Sequence, residues 1–233
     1  MGASAVIMAC TGLLAVALAG FLYWRLVWFF RNPARFPPGW QGILSCADGT
    51  VVYVKKIRPD QDVLVIKKGS QASIKDIARQ DMAGEKILIG VFMSPFNVHY
   101  NRSPLTGRVE FIRHYPAQGH NLSMWPMHLR TVLKRRPYYR NSLHVKQNER
   151  TVTKITGTYR ERDLSCYVIQ IAGRSVRGID SYLHEGMEIE RGAIFGMIRI
   201  GSQVDLVVPW TDGMQIRVGP GDKVRAGESI LIQ

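Results

Sequence analysis

Short apolar runs alternate with turn residues along most of the chain. Residues 51–55, 63–67, 87–93, 107–114, 152–157, 166–172, 193–200 and 204–208 are rich in Val, Ile and Tyr and are separated by turn residues, which predicts β-strands. Helical periodicity is weak. The candidates are residues 73–82 and 120–136, the second interrupted by Pro126. The N-terminus differs: residues 1–24 carry no charge, and the apolar run 3–23 is long enough to span ~30 Å of hydrocarbon. The pattern predicts a mainly β (α+β) domain with a few helices, preceded by one N-terminal transmembrane helix.

A cleaved signal peptide would begin with basic residues, have a shorter apolar core and exit through small residues. Here the start lacks Lys and Arg, and the run leads into Tyr23, Trp24, Trp28, Phe29 and Phe30, an aromatic belt for a membrane interface. Residues 1–30 are therefore expected to form an uncleaved anchor. Arg25, Arg31 and Arg35 follow it, so the positive-inside rule puts the remainder on the cytoplasmic side of the inner (plasma) membrane. Residues 31–41 hold three prolines and a glycine, the composition of an extended linker. Residues 42–233 then form the single large domain, long enough for a real core.

A quasi-repeat organises its C-terminal part. Gly186-Met-Glu-Ile-Glu-Arg-Gly192 is matched by Gly221-Asp-Lys-Val-Arg-Ala-Gly227, each followed by an apolar run. Glycines so placed permit φ > 0 at tight turns. The pattern is similar to the hairpins of barrel-sandwich hybrid domains, and the expected fold is barrel-sandwich-hybrid-like.

The formal net charge of +13 fits either a nucleic acid or an anionic membrane. The anchor favours the membrane, and no zinc-finger spacing, helix-turn-helix pattern or aromatic single-strand platform is present, so no nucleic-acid partner is expected. Cys10, Cys46 and Cys166 make no C-x-x-C pair, which fits a reducing compartment and gives no metal site. His114, His120, His128, His144 and His184 show no partner pattern either.

The dipeptide Gly201-Ser202, between two apolar runs, is the candidate for chemistry. In a suitable fold a serine hydroxyl can attack the preceding carbonyl; the resulting ester eliminates to dehydroalanine, and hydrolysis of that residue leaves a pyruvoyl group on the new N-terminus. Gly-Ser is also a common turn pair, a lone His99 is more often structural, and Asp48 in an Asp-Gly pair is commonly a turn residue. Context changes this. Phe29-Phe-Arg-Asn-Pro33, Ser45-Cys-Ala-Asp-Gly49, Phe92-Met-Ser-Pro-Phe-Asn-Val-His-Tyr-Asn-Arg-Ser-Pro-Leu-Thr-Gly107, Asn148-Glu-Arg150 and Ile171-Ala-Gly173 precede Gly196-Met-Ile-Arg-Ile-Gly-Ser202. In this order and spacing the chain resembles the phosphatidylserine decarboxylase family over about residues 29–233. The nearer match is its short bacterial and archaeal branch, which includes archaetidylserine enzymes.

The resemblance implies a self-processing, pyruvoyl-dependent decarboxylase that turns phosphatidylserine into phosphatidylethanolamine. It would be cleaved between Gly201 and Ser202 into chains of about 1–201 and 202–233 that stay together. Ser202 is the nucleophile and pyruvoyl precursor, and no diffusible cofactor is needed. A serine hydroxyl needs a base, for which imidazole is suited near neutral pH. His99 takes that role, with Asp48 as the acid that orients it. Gly201 supplies an uncrowded carbonyl. Asn101 and Arg102 are candidates for the substrate phosphate, or for bracing the loop. Cys46 stands where the family usually has proline. Arg102 stands where long-form members have a second histidine, which leaves open whether His99 serves both processing and proton return. Asn148, Glu149 and Arg150 are read as structural.

Met124, Trp125, Met127 and Leu129 adjoin Arg130, Lys134, Arg135, Arg136 and Arg140, which suits a surface that dips into an anionic bilayer, or else a core-facing helix with a charged outer face. The expected partners are thus an anionic phospholipid membrane and a serine phospholipid, with a homodimer left open. The competing readings are a non-enzymatic membrane-anchored hybrid-domain adaptor, which would need a long heptad hairpin; a carrier domain, which would need a lysine to be modified at the hairpin tip, where Lys223 lacks the setting; and a catalytically inactive homologue.

Overall fold

The computed structural model describes residues 2–39, 42–59, 84–140, 142–174, 178–199 and 201–233. The expected strand 63–67 and helix 73–82 lie outside the described residues. The chain divides into two units, Met1–Pro33 and Ala34–Gln233.

The first unit is the helix α1 (Ala3–Tyr23), continued by a π-helical turn at Trp24–Trp28. Together they make a 26-residue helix, long and apolar enough to cross a membrane. Apolar side chains point outward all round α1, as lipid-facing helices require, because its own backbone hydrogen bonds satisfy every interior amide.

The second unit is built on an eight-stranded antiparallel sheet. Its strands are β2 (Gly49–Ile57), β3 (Lys86–Met93), β5 (Gly107–Tyr115), β6 (Arg150–Tyr159), β7 (Arg162–Ile171), β9 (Glu188–Ile189), β11 (Ser202–Pro209) and β12 (Lys223–Val224). They run in the order β12-β2-β3-β11-β7-β6-β5-β9. A three-stranded sheet combines β4 (Tyr100–Arg102), β10 (Ile194–Ile198) and β8 (Ile179–Ser181) in the order β4-β10-β8, and β1 (Ile43–Leu44) pairs with β13 (Ile230–Ile232). The mainly β expectation holds, and each described apolar run became a strand.

Alternation along the strands separates two cores. From β11, Val204, Leu206 and Val208 enter the first, with Ile87, Ile89, Val91 and Met93 of β3 and with Phe195, Ile198, Leu231 and Ile232 of the smaller sheets. Val207, Leu88, Phe92, Val152, Tyr167 and Ile169 enter the second, against Met124, Met127 and Val145. Central β3 is buried on both faces and so reads as one continuous apolar run.

The second core is covered by two short helices, α2 (Trp125–Val132) and α3 (His144–Gln147). Helix α2 is shorter than the expected span 120–136. Pro126 does not interrupt it but lies in its first turn, where the missing N–H has no intrahelical partner to lose.

The repeat glycines are turn residues as expected: Gly186, Gly192, Gly221 and Gly227 all have φ between 74° and 110°. Residues 34–39 depart from the picture of a free linker. They are irregular, but Arg35 reaches into the β domain, and Arg191 donates to the carbonyl oxygens of Pro38 and Gly42. Arg35 is thus a buried structural cation rather than a membrane-flanking charge.

Candidate active site

Gly201 and Ser202 lie where the chain leaves the three-stranded sheet at β10 and enters the large sheet at β11. Gly201 has φ +66°, a left-handed conformation natural to glycine, and a Cβ built there would meet nothing within 4 Å. The Gly201 α-carbon, directly before Ser202, therefore faces open space on its Cβ side. Ser202 itself is fully buried and stands opposite Met93 of β3. Its Oγ donates to the Met93 thioether sulfur at 3.4 Å.

Met93 ties this corner to the segment that carries His99. Asn101 Nδ2 lies 3.6 Å from the same sulfur, and Asn101 Oδ1 accepts from Gln170 Nε2 at 2.8 Å. Strand β4 pairs with β10 through Tyr100 and Met197, and the His99 carbonyl accepts the Ile198 N–H at 3.4 Å. His99 is fully buried beside the strand whose end leads into Gly201. Residues far apart in sequence, 93, 101, 170 and 202, are thus joined by one chain of side-chain contacts, and the His99 backbone lies beside β10, the strand that precedes Gly201.

Asp48 occupies an adjoining cluster. The Arg102 N–H donates to the Cys46 carbonyl, joining the 45–48 turn to β4. The Asp48 carboxylate accepts from Arg35 Nη2 at 2.7 Å and from the Ala226 N–H at 2.8 Å. Burial pushes the Asp48 carboxyl up, opposed by the Ala226 N–H and by Arg35. Glu228 takes the other Arg35 nitrogen at 2.9 Å. Arg102 donates to the Gly192 carbonyl at 2.9 Å. Desolvation lowers its pKa, as does Arg35, while Asp48 and Glu228 oppose the shift.

The opposite face of β11 holds a buried polar network that the sequence pattern did not reveal. Gln203, next to Ser202, donates through Nε2 to Tyr53 Oη at 2.6 Å and to Asp205 Oδ1 at 2.7 Å. Tyr53 donates to Asp205 Oδ2 at 2.7 Å, and His144 Nε2 lies 3.2 Å from Gln203 Oε1. A bulge between Val51 and Tyr53 brings Tyr53 opposite Gly90, which also pairs with Asp205. A Cβ at Gly90 would clash with the Tyr53 ring, so the glycine lets that ring cross to Asp205. Burial raises the Asp205 pKa to about 6, against its hydrogen bonds and the charges of Arg150 and Lys55. Burial lowers that of His144 to about 4. The only sequence signal was a polar pair, Gln203 and Asp205, alternating with apolar residues in a strand.

Asn148 braces the backbone around it. Its side chain accepts the Leu122 N–H and donates to the Leu122 and Ala172 carbonyls. Burial pushes Cys166 up to about 12 and Cys46 well above the usual thiol range, so both stay protonated. Among the described residues, no group of three or more His, Cys, Asp or Glu side chains stands close enough to hold a metal ion.

The fold and this corner define a mainly β protein with a buried serine hydroxyl directly after a left-handed glycine. The phosphatidylserine decarboxylase profile matches residues 22–232. The chain is 32% identical over 206 residues to the phosphatidylserine decarboxylase proenzyme of Nitrosomonas eutropha, covering 88% of this chain and 76% of that one. It is 34% identical over 204 residues to the putative archaetidylserine decarboxylase proenzyme of Methanothermobacter thermautotrophicus, with 87% and 78% covered. The Nitrosomonas europaea phosphatidylserine decarboxylase proenzyme is 31% identical over 230 residues, with 95% and 87% covered. The chain belongs to the phosphatidylserine decarboxylase family.

Proposed function

We propose that this chain is the precursor of a decarboxylase that severs itself between Gly201 and Ser202 and acts on a serine phospholipid, releasing carbon dioxide and the ethanolamine phospholipid. The observation that carries the reading is the corner itself. A buried serine hydroxyl directly follows a left-handed glycine that has open space on its Cβ side, where the chain enters β11. Ser202 Oγ attacks the Gly201 carbonyl as His99 takes its proton and passes it to the departing Ser202 nitrogen, so the peptide C–N bond is replaced by an ester; loss of the Ser202 α-proton then expels the Gly201 carboxylate, and water displaces the nitrogen as ammonia. The geometry that supports His99 is its burial beside Ile198 and its link through Asn101 and Met93 to Ser202. Asp48 is the acidic member. It orients His99 in this reading, and the 45–48 turn that carries it is joined to β4 by the Arg102 N–H to Cys46 carbonyl bond.

Residue 202 fits the pyruvoyl group that follows, since Ser202 is the group's own precursor. The group would supply a ketone that accepts electrons from the breaking carboxylate bond. Around it, β3 and β7 hold the new end of β11 by ladder bonds on both sides, so residues 1–201 and 202–233 stay associated. Asn101 commits its amide oxygen and nitrogen to Gln170 and Met93, and Arg102 donates to Gly192, so a substrate phosphate there would displace existing bonds. Bracing is the role this geometry favours for both. The helix Ala3–Trp28 is the membrane anchor, with Arg25 and Arg31 after its apolar stretch directing the β domain to the cytoplasmic face of the inner membrane. The names of the relatives include both phosphatidylserine and archaetidylserine, so the lipid class is a serine phospholipid with either backbone.

Intact-mass analysis tests the reading. The wild type is expected as two chains, 1–201 and 202–233, the second with a blocked N-terminus that has lost the serine nitrogen. Ser202→Ala stays whole and releases no carbon dioxide from any serine lipid. A single uncut wild-type polypeptide, or a Ser202→Ala variant that still decarboxylates, overturns it.

A further inference from the structure

Helix α2 covers the second core with one face only. Met127 and Thr131 point inward, whereas Trp125, Leu129, Val132 and Leu133 are between 44% and 62% exposed. These four recur at helical spacing and make a continuous apolar ridge. Beside it opens a cleft of about 700 Å³ lined by Leu129, Leu133, Arg130, Arg135, Arg136 and Arg140. Arg130 is held in place by the carbonyls of Tyr138 and Arg140. The described part of this cleft carries no acidic side chain.

An apolar ridge flanked by guanidinium groups matches the layered chemistry of an anionic bilayer, with acyl chains for the ridge and phosphates for the cleft. The ridge also lies at the processing end of the sheet. The Trp125 ring lies 4.9 Å from that of His128, tilted by 36°; His128 lies 6.3 Å from Phe92, and Phe92 pairs with Gln203, one residue from Ser202. We propose that α2 and its arginine cleft form a second membrane contact, within the β domain, that seats the Ser202 end of the sheet against anionic lipid. Its purpose rests on the serine-phospholipid reading; its measurement does not.

The test uses the full chain in vesicles of phosphatidylglycerol and phosphatidylcholine with brominated acyl chains. The readout is tryptophan emission of wild type minus that of Trp125→Phe, which isolates Trp125 from the other tryptophans. Trp125 is expected to be quenched in anionic vesicles. The Arg135→Gln/Arg136→Gln pair lowers the docked-to-undocked ratio by about twenty-five-fold, roughly fivefold per guanidinium removed from an anionic surface. In parallel, Val132→Asp/Leu133→Asp lowers turnover of bilayer phosphatidylserine about tenfold, the scale set by losing one to two buried apolar side chains, with turnover of a monomeric short-chain serine phospholipid and self-cleavage unchanged. Quenching of Trp125 in a chain that proves inactive leaves this contact standing and removes only the enzymatic reading. Unquenched Trp125 overturns the contact, as does equal loss on both substrates. So does retention of a single-stranded RNA through the same arginines without quenching, since the face would then bind nucleic acid.

Discussion

Ser202 Oγ points at the Met93 sulfur, 3.4 Å away, directly across the β3–β11 ladder. The thioether is a weak acceptor, so it fixes the hydroxyl's rotamer without holding its proton strongly. The same sulfur receives Asn101. Met93→Leu preserves volume and should cost under about 1.5 kcal/mol of stability. It removes the acceptor from both donors, and self-cleavage should slow about fivefold, the equivalent of one modest hydrogen bond. A cleavage time course by denaturing electrophoresis measures it; an unchanged rate would show that packing alone holds the serine.

The Arg35–Asp48 pair separates structural from chemical acidity. Both side chains are largely buried, and Asp48 also holds the Ala226 amide. Arg35→Met leaves a buried carboxylate without its cation and should cost about 3 kcal/mol. The double variant with Asp48→Asn should recover part of that loss, which a denaturation cycle measures. If Asp48 also serves the reaction, Asp48→Asn slows cleavage more than Arg35→Met does at equal stability.

Asp205 and His144 have opposed pH dependences over nearly the same window. Asp205 is raised from 3.8 to about 6, so between those values the native state holds a proton that the unfolded chain releases, and stability falls as pH rises. His144 is lowered from 6.5 to about 4, so the unfolded chain binds a proton that the native state refuses, and stability rises with pH. Each contributes about 3 kcal/mol, so they largely cancel in the wild type. Asp205→Asn should therefore lose stability as pH falls from about 6.5 to 4. His144→Gln should instead lose it as pH rises over about 4 to 6. Denaturation midpoints across that range should diverge in opposite directions; parallel profiles would refute the compensation.

Two glycines should respond differently to alanine. At Gly90 the new methyl meets the Tyr53 ring, and repacking should cost about 2 kcal/mol while displacing the phenol from Asp205. At Gly201 there is open space, and only the left-handed backbone resists, for about 1 kcal/mol. Gly201→Ala should fold normally and cleave more slowly but to completion, whereas Gly90→Ala should be visibly destabilised in thermal melts.

Much of the fold was legible because it rests on local rules. Alternation and β-branched residues marked the strands, and an uncharged apolar run marked α1. The paired glycine spacing marked turns that do have positive φ. Pro126 misled because the same residue breaks a helix interior and starts a helix, and only the cap position distinguishes the two. Arg35 misled because its partners, Asp48 and Glu228, are 13 and 193 residues away.

The order of motifs alone determined the family and put the candidate chemistry at Gly201-Ser202, since those are properties of residue type and spacing. Only the tertiary structure decided what surrounds that bond. The Met93–Asn101–Gln170 chain, the Tyr53–Gln203–Asp205–His144 network and the apolar ridge beside the arginine cleft all join strands or helices distant in sequence. Strand pairing and register create such contacts, and neither is written in the local pattern of any one segment.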